Sequence, residues 1–147
     1  MEQIKEILEK YYQNGEENNR LIKDKAHMVE FLTTTRYIDK YLKRGDRILE
    51  IGAGTGRYSL HYANKGYEVE AVELTKANIK ELRKNITEGI NVKINQGNAL
   101  NLNMYKDNEF DITLLLGPIY HLFSKKDKKR AIEEAVRVTK PHGKIFI

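Results

Sequence analysis

The spacing of hydrophobic positions changes once along the chain. In the first third, apolar residues recur at helical spacing, which predicts an amphipathic helix over 2–13 and a second over about 24–43. Asn14-Gly15 separates the two helices, and Gly45 ends the second. The second helix is predicted to bury one stripe: Met28, Phe31, Leu32, Thr35, Ile38 and Leu42.

From residue 47 onwards, short apolar runs alternate with amphipathic segments. The apolar runs predict strands over 47–51, 68–73, 92–95 and 110–116, and a fifth that starts at Lys144 after Pro141 and Gly143 end the preceding helix. Strands that alternate with helices indicate right-handed βαβ units and a mainly parallel sheet, hence an α/β fold. In such sheets ligands bind outside the carboxyl ends of the strands.

Three helices are predicted between these strands. One covers 55–64, one begins at the N-cap Thr75, and one follows a capping box formed by Ser124 and Asp127. The last helix is predicted to bury a stripe of four residues: Ile132, Ala135, Val136 and Thr139.

Composition limits the classes of protein to consider. The chain has 147 residues, 40% of them hydrophobic, which suits one folded domain. It has no cysteine, which excludes disulfides and thiolate metal sites and fits a cytoplasmic protein. The four histidines lack the spacing of metal ligands, so no metal is expected. The N-terminus does not resemble a signal peptide and no apolar run is long enough for a membrane span, so no membrane partner is expected.

The glycine-rich turn Gly52-Ala53-Gly54-Thr55-Gly56 lies where a buried strand becomes a helix. Glycines there permit a tight turn and close approach of a ligand to the backbone, and the helix start offers amide groups. Arg57 stands where a dinucleotide fingerprint needs its third glycine, and the Glu50 carboxylate would repel a pyrophosphate. The turn therefore favours a ligand with an amino group and a sulfonium, S-adenosylmethionine, over a nicotinamide dinucleotide.

Two later strand ends carry side chains suited to a nucleoside. Glu73 ends the second strand and can accept both ribose hydroxyls. After the third strand, Asn98 can accept a hydrogen bond from an adenine amine, and the Ala99 amide can donate to the ring. Together with the glycine turn, these residues predict a nucleoside site along the carboxyl edge of the sheet.

These segments, in this order, resemble the class I S-adenosylmethionine-dependent methyltransferases. LEIGAGTGRYSL resembles the first motif of that family, and the later matches are AVELT, QGNAL, FDITLLLGP and KPHGKI. The resemblance covers about residues 30–147 and implies a Rossmann-like three-layer α/β/α fold, with residues 1–29 as an N-terminal helical cap. The third motif departs from the family at Asn98, where an aspartate is usual.

The resemblance also implies roles for individual residues. The glycine turn, with Ala53 and Thr55, would line the methionine part of S-adenosylmethionine, with Glu50 near its amino group. Glu73 would hold the ribose, Leu74 would pack on the adenine, and Asn98 and Ala99 would bind its edge. Leu116 and Gly117 would offer backbone groups near the methyl donor, and S-adenosylhomocysteine would be the product.

The family core continues through strands six and seven, which lie beyond the end of this chain. Strand five is therefore expected to be an exposed apolar edge. This predicts either a C-terminally truncated form or pairing with a partner, such as a second copy in a homodimer.

The methyl acceptor is expected over the end of strand four. In the segment from Gly117, Tyr120 would line the methyl channel and His121 would serve as a base, although His121 is equally compatible with packing beneath the loop. From the N-terminal segment, Tyr12, His27 and Arg36 are candidates to close over the cofactor.

Three functions remain open at this level. The first is methyl transfer to a nitrogen or oxygen nucleophile of a small molecule. The second is RNA modification, favoured by a net charge of +5 and by basic residues at a helix start, where the helix dipole disfavours cations: Lys125, Lys126, Lys128, Lys129 and Arg130. The third is a cofactor-binding module without turnover.

Overall fold

The computed structural model describes residues 25–147 together with Glu6 and Glu9, which are both helical. Most of the helix predicted over 2–13 lies outside the described residues. Helix α1 spans Lys25–Asp39, so the domain boundary predicted after residue 29 falls inside a continuous helix.

The remaining elements follow the predicted order, with one additional short helix at Pro118–His121. They are β1 (Arg47–Ile51), α2 (Arg57–Asn64), β2 (Glu68–Glu73), α3 (Lys76–Asn85), β3 (Val92–Gln96), β4 (Phe110–Leu114), α4 (Pro118–His121), α5 (Lys125–Val138) and β5 (Thr139–Phe146). The five strands form one parallel sheet in the order β3-β2-β1-β4-β5. The predicted Rossmann-like α/β fold is confirmed.

Two apolar clusters cover the faces of the sheet. On one face, α1, α2 and α3 pack on β1, β2 and β4 through residues that include Ile38, Tyr62 and Leu82. On the other face, α5 packs through Ala131, Ala135 and Val138. The molecule therefore has three layers, and its inner strands β1, β2 and β4 are buried on both faces.

The predicted N-caps of α3 and α5 are confirmed. The Thr75 hydroxyl accepts a hydrogen bond from the Asn78 amide at 3.4 Å. The Ser124 hydroxyl accepts one from the Asp127 amide at 2.9 Å. Each cap satisfies an amide that has no partner inside its helix.

The stripe predicted for α1 is only partly correct. Phe31, Thr35 and Ile38 are buried, but Met28 and Leu32 are exposed. The buried residues face α2, where the Phe31 ring lies 5.1 Å from the Tyr58 ring. Helix α1 therefore buries a narrower stripe than its apolar pattern predicts.

The stripe predicted for α5 is wrong on one side. Ile132 and Val136 are exposed, whereas Ala131, Glu134, Ala135 and Val138 are buried. Compared with the prediction, the buried face of α5 is rotated, because the Glu134 carboxylate points inward. There it accepts a hydrogen bond from the Leu102 amide at 2.6 Å and forms an ion pair with Arg137 at 3.0 Å.

The predicted boundary between α5 and β5 is also wrong. The helix ends at Val138, and β5 begins at Thr139 rather than at Lys144. The strand pairing jumps from Phe110–Thr139 to Ile112–Lys144, so 140–143 form a bulge, in which His142 has a φ of 67°. Pro141 has no amide hydrogen to donate to a ladder, which suits a bulged segment.

Candidate functional site

The turn between β1 and α2 is built on glycines with positive φ. Gly52, Gly54 and Gly56 have φ values of 74°, 57° and 87°. The amides of Gly52 and Ala53 both donate to the Val72 carbonyl, at 2.7 and 3.0 Å, which ties the turn to β2. A β-carbon on Gly52 would collide with the Pro118 ring, and one on Gly56 with the Leu82 side chain. Only glycine fits at either position.

Glu73 lies at the carboxyl end of β2 and is buried. One carboxylate oxygen accepts from the Gly54 amide at 2.9 Å. The other accepts from the Thr75 amide at 2.9 Å, the Thr75 hydroxyl at 3.0 Å and the Asn78 side-chain amide at 3.3 Å. The carboxylate is thus held against the glycine turn by the start of α3.

Glu50 is buried on β1, two residues before the turn. Its Oε2 accepts hydrogen bonds from both the amide, at 2.9 Å, and the hydroxyl of Ser59 in the first turn of α2. Burial raises the pKa of Glu50 to about 8; the bonds from Ser59 oppose this shift, and the nearby Glu73 carboxylate adds to it. The sequence predicted that amides at the start of α2 would be available to a ligand. One of them, the Ser59 amide, instead donates its hydrogen bond to Glu50.

The surroundings of the two buried carboxylates indicate which charge of ligand suits the site. Within the described part of the chain, neither Glu50 nor Glu73 has an ion-pair partner. Their mutual repulsion is relieved by protonation or by a cation, and both carboxylates would repel a pyrophosphate. These acidic acceptor groups therefore fit a nucleoside that carries an amino group and a sulfonium, such as S-adenosylmethionine.

The turn after β3 joins the same edge. The Gly97 amide donates to the Glu73 carbonyl at 3.0 Å. The Asn98 side-chain oxygen accepts from the Leu100 amide at 3.0 Å, so the atom predicted to accept from adenine also shapes its own turn. Ala99 is buried and Leu74 is half-buried.

The segment after β4 is the fourth component of the edge. Leu116 and Gly117 are half-buried, and the Pro118 ring packs against Gly52. His121 is half-buried at the end of α4, whereas 83% of the Tyr120 surface is exposed. The structure therefore brings the β4 end to the glycine turn, while the Tyr120 ring points into solvent.

The three residues predicted to close over the cofactor have different positions. Tyr12 lies outside the described residues. His27 is half-buried in the first turn of α1, near Phe31, whose ring contacts Tyr58 at the start of α2. Arg36 is exposed and lies beside Thr35, whose carbonyl accepts from Tyr62 in the last turn of α2. The predicted role of Arg36 in closing over the cofactor stays a prediction.

Glu9 contacts the start of α3 at this edge. The Glu9 carboxylate accepts hydrogen bonds from the Lys76 amide at 2.7 Å and from the Ala77 amide at 3.4 Å. These amides open α3, directly after Glu73 and Thr75. Glu9 therefore lies next to the predicted ribose site.

The sequence did not identify the residues that hold the two carboxylates. Ser59 binds Glu50 across nine positions, and no spacing rule links them before the fold is known. Asn78 could have been identified as a candidate, because it follows the N-cap Thr75 by three residues and its position at the helix start was predictable.

Among the residues that the structure describes, no helix is both long and apolar enough to cross a bilayer.

Comparison with known families identifies the domain type. Residues 48–143, about two thirds of the chain, match the family model of the methyltransferase domain. This range runs from β1 into β5 and includes all four turns of the candidate site.

Individual relatives agree with that match. A demethylmenaquinone methyltransferase of Paenarthrobacter aurescens is 31% identical over 72% of this chain and 39% of its own length. A protein of Methanocaldococcus jannaschii, named as a ribosomal RNA large subunit methyltransferase without that activity being established, is 37% identical over 57% of this chain and 24% of its own length. The chain thus spans about a quarter to two fifths of these relatives.

A solved structure shares the fold. The crystal structure of a protein from Methanosarcina mazei, titled as an S-adenosylmethionine-dependent methyltransferase, superimposes with a TM-score of 0.63 at 29% identity. The match covers 74% of this chain and 54% of the other.

Proposed function

This chain belongs to the methyltransferase domain family and has its class I, Rossmann-like fold, and from that premise we propose that it binds S-adenosylmethionine along the carboxyl edge of β1, β2 and β3. We propose further that it transfers the methyl group to a nitrogen or oxygen nucleophile held over the end of β4.

The buried Glu73 carboxylate carries this proposal. It stands at the end of β2, oriented by Thr75 and Asn78 and in contact with the Gly54 amide. A carboxylate at this strand end can accept the hydroxyls of a ribose when they replace some of the donors that hold it in this structure. Leu74, Asn98 and Ala99 follow β2 and β3 at the same edge of the sheet and would enclose the adenine.

The methionine part would lie at the glycine turn beside Glu73, where its positive charge would favour the ionised form of Glu50. The bound cofactor supplies a methyl group activated by a positively charged sulfur. The protein's part is to align the acceptor and exclude water. Leu116 and Gly117 would border the acceptor, and His121 would take a proton from a nucleophile that must lose one.

The acceptor is proposed rather than identified. A small molecule was the first prediction, and the relative named for demethylmenaquinone is compatible with it. RNA is the second candidate, supported by the exposed aromatic and basic residues after β4. A cofactor-binding module without turnover is the third. Cytoplasmic location and pairing of two copies along the open side of β5 also stay predictions.

Isothermal titration calorimetry with S-adenosylhomocysteine tests the cofactor proposal. We expect one saturable site of micromolar affinity, about −8 kcal/mol in binding free energy, and no heat with a nicotinamide dinucleotide. Absence of binding in protein that circular dichroism shows to be folded would overturn it. Methyl transfer to a cell extract then separates an enzyme from a module without turnover.

Replacing Glu73 by glutamine should weaken this binding by about 10-fold or more, because charged hydrogen bonds to the ribose are each worth roughly 1.5–3 kcal/mol. Glu68→Gln is the matched control, since Glu68 starts the same strand and is exposed. We expect calorimetry to show normal affinity for Glu68→Gln. Equal affinity of both variants for S-adenosylhomocysteine would show that Glu73 does not bind the ribose.

A further inference from the structure

The segment between β4 and α5 exposes two aromatic rings. Tyr120 is 83% exposed and Phe123 is 84% exposed, the highest values among the exposed large hydrophobic residues of the described chain. A phenyl ring left in water loses the free energy of burial, roughly 1.5–3 kcal/mol. Two such rings three residues apart therefore point to a partner that covers them.

Exposed lysines follow these rings directly. Lys125, Lys126 and Lys128 are exposed in the first turns of α5, and within the described residues none of them forms an ion pair. The two basic residues that follow are different, because Lys129 lies 3.7 Å from Glu133 and Arg130 lies 3.6 Å from Glu134.

The three unpaired lysines are unfavourable for the isolated helix. The amino end of a helix carries partial positive charge, so lysines there are repelled. A polyanion bound across them removes that repulsion and releases its own counterions. We define these five residues as the aromatic–basic surface: Tyr120, Phe123, Lys125, Lys126 and Lys128.

This surface adjoins the proposed methyl-transfer site. Pro118, two residues before Tyr120, packs against Gly52 of the glycine turn. His121, the proposed base, lies between the two exposed rings in sequence. A polymer bound here would pass the end of β4, where the acceptor nucleophile is expected.

We propose that the aromatic–basic surface binds single-stranded RNA and presents one of its nucleosides to the end of β4; this rests on the proposed methyltransferase function. Unpaired bases stack on aromatic rings whatever their sequence, while lysines contact the phosphates. A duplex hides its base faces, and a small molecule does not need three phosphate contacts. The exposed rings thus favour a single strand, and the lysines favour a polymer over a small acceptor.

Fluorescence anisotropy with a labelled single-stranded RNA of about 12 nucleotides, within the usual site sizes, tests the proposal. We expect binding whose logarithm falls with the logarithm of salt concentration with a slope near −2, because each of about three phosphate contacts adds roughly 0.7. The triple variant Lys125→Glu, Lys126→Glu, Lys128→Glu should bind at least about 10-fold more weakly, with a flatter slope.

A charge-matched triple variant controls for net charge. Lys43, Arg44 and Lys106 are exposed in the loops before β1 and β4, at the opposite edge of the sheet. Their replacement by glutamate changes the net charge by the same amount and should leave the affinity for RNA within about 3-fold of the unchanged protein.

The variant Phe123→Ala separates stacking from charge. We expect it to weaken RNA binding by about 5-fold or more at unchanged salt slope, since stacking is worth roughly 1–3 kcal/mol per base. Heparin, a polyanion without bases, should bind equally well to this variant and the unchanged protein.

Three results would overturn the proposal: equal loss of RNA binding in both triple variants, no effect of Phe123→Ala, or tighter binding of single-stranded DNA or anionic vesicles than of RNA. Calorimetry with S-adenosylhomocysteine on the same variants keeps the two proposals apart. A variant that loses RNA binding but keeps normal cofactor affinity shows an effect of this surface alone. Absence of cofactor binding in the unchanged protein would instead contradict the proposed methyltransferase function.

Discussion

Replacing Gly56 by alanine is expected to destabilise the protein by about 2–5 kcal/mol. Gly56 has a φ of 87°, and a non-glycine residue in this left-handed region costs about 1–2 kcal/mol. The added β-carbon would also overlap the Leu82 side chain. Leu82 is fully buried and cannot move aside freely, so overpacking adds about 1–3 kcal/mol. Urea unfolding with an unchanged m-value measures the effect.

Gly66→Ala is the matched control for this prediction. Gly66 has the same φ of 87°, but nothing lies within 4 Å of its added β-carbon. It should therefore show only the backbone cost, and the difference between the two variants isolates the contact with Leu82. Equal destabilisation of the two variants would show that the glycine turn does not pack against α3 as described.

Glu50 is expected to make the stability fall as pH rises. Because burial raises its pKa to about 8 from 4.5, the folded protein holds a proton that the unfolded chain releases between these values. As far as Glu50 determines it, the free energy of unfolding is therefore highest below pH 4.5 and falls as pH rises towards 8. At about 1.4 kcal/mol per pH unit, the loss reaches at most about 5 kcal/mol.

Glu50→Gln should remove this slope, because the amide oxygen still accepts from Ser59 but carries no charge. We expect the variant to unfold at higher urea concentration than the unchanged protein above pH 8, and at a similar concentration near pH 5. Glu134→Gln gives a contrast of opposite sign. Its bond to Arg137 holds the pKa of Glu134 below the usual value, so the stability that it contributes is lost as pH falls. An unchanged slope in Glu50→Gln would contradict the burial of an unpaired carboxylate beside the turn.

The sequence predicted the elements around the site well, because each change of period coincides with a residue of strong local preference. Thr75 begins α3, and the glycines of 52–56 end β1 and precede α2. Positive φ at these glycines is a backbone requirement that the residue type reveals directly. The carboxyl edge of the sheet was therefore predictable before any contact was known.

The errors arose where a distant contact overrides the local pattern. Glu134 is buried because the Leu102 amide and Arg137 bind its carboxylate. A prediction that places every glutamate on the outer face therefore puts the buried face of α5 about one residue, roughly 100°, from its true position. Pro141 and Gly143 indicate a break in any regular element. Only the pairing with β4 shows that the break is a bulge within β5.

The site residues divide in the same way. Glu73 and the glycine turn could be placed from their strand ends, since parallel strands bring these ends together. The partners of Glu50 and Glu73, Ser59 and Asn78, depend on how α2 and α3 dock, and so does the contact of Pro118 with Gly52. The exposure of Phe123 likewise follows from the path of the chain after β4.

The most direct test of the central claim uses the glycines as reporters. Nuclear magnetic resonance of protein labelled with ¹⁵N-glycine, titrated with S-adenosylhomocysteine, reports on Gly52, Gly54, Gly56 and Gly97 at the carboxyl edge. Gly45, Gly66 and Gly89 are matched controls, because they have positive φ, as the three glycines of the turn do, and lie before β1, β2 and β3 at the opposite edge. We predict saturable shifts at the first group and none at the second. Shifts confined to the second group, or none at any glycine in folded protein, would contradict a cofactor site at the glycine turn.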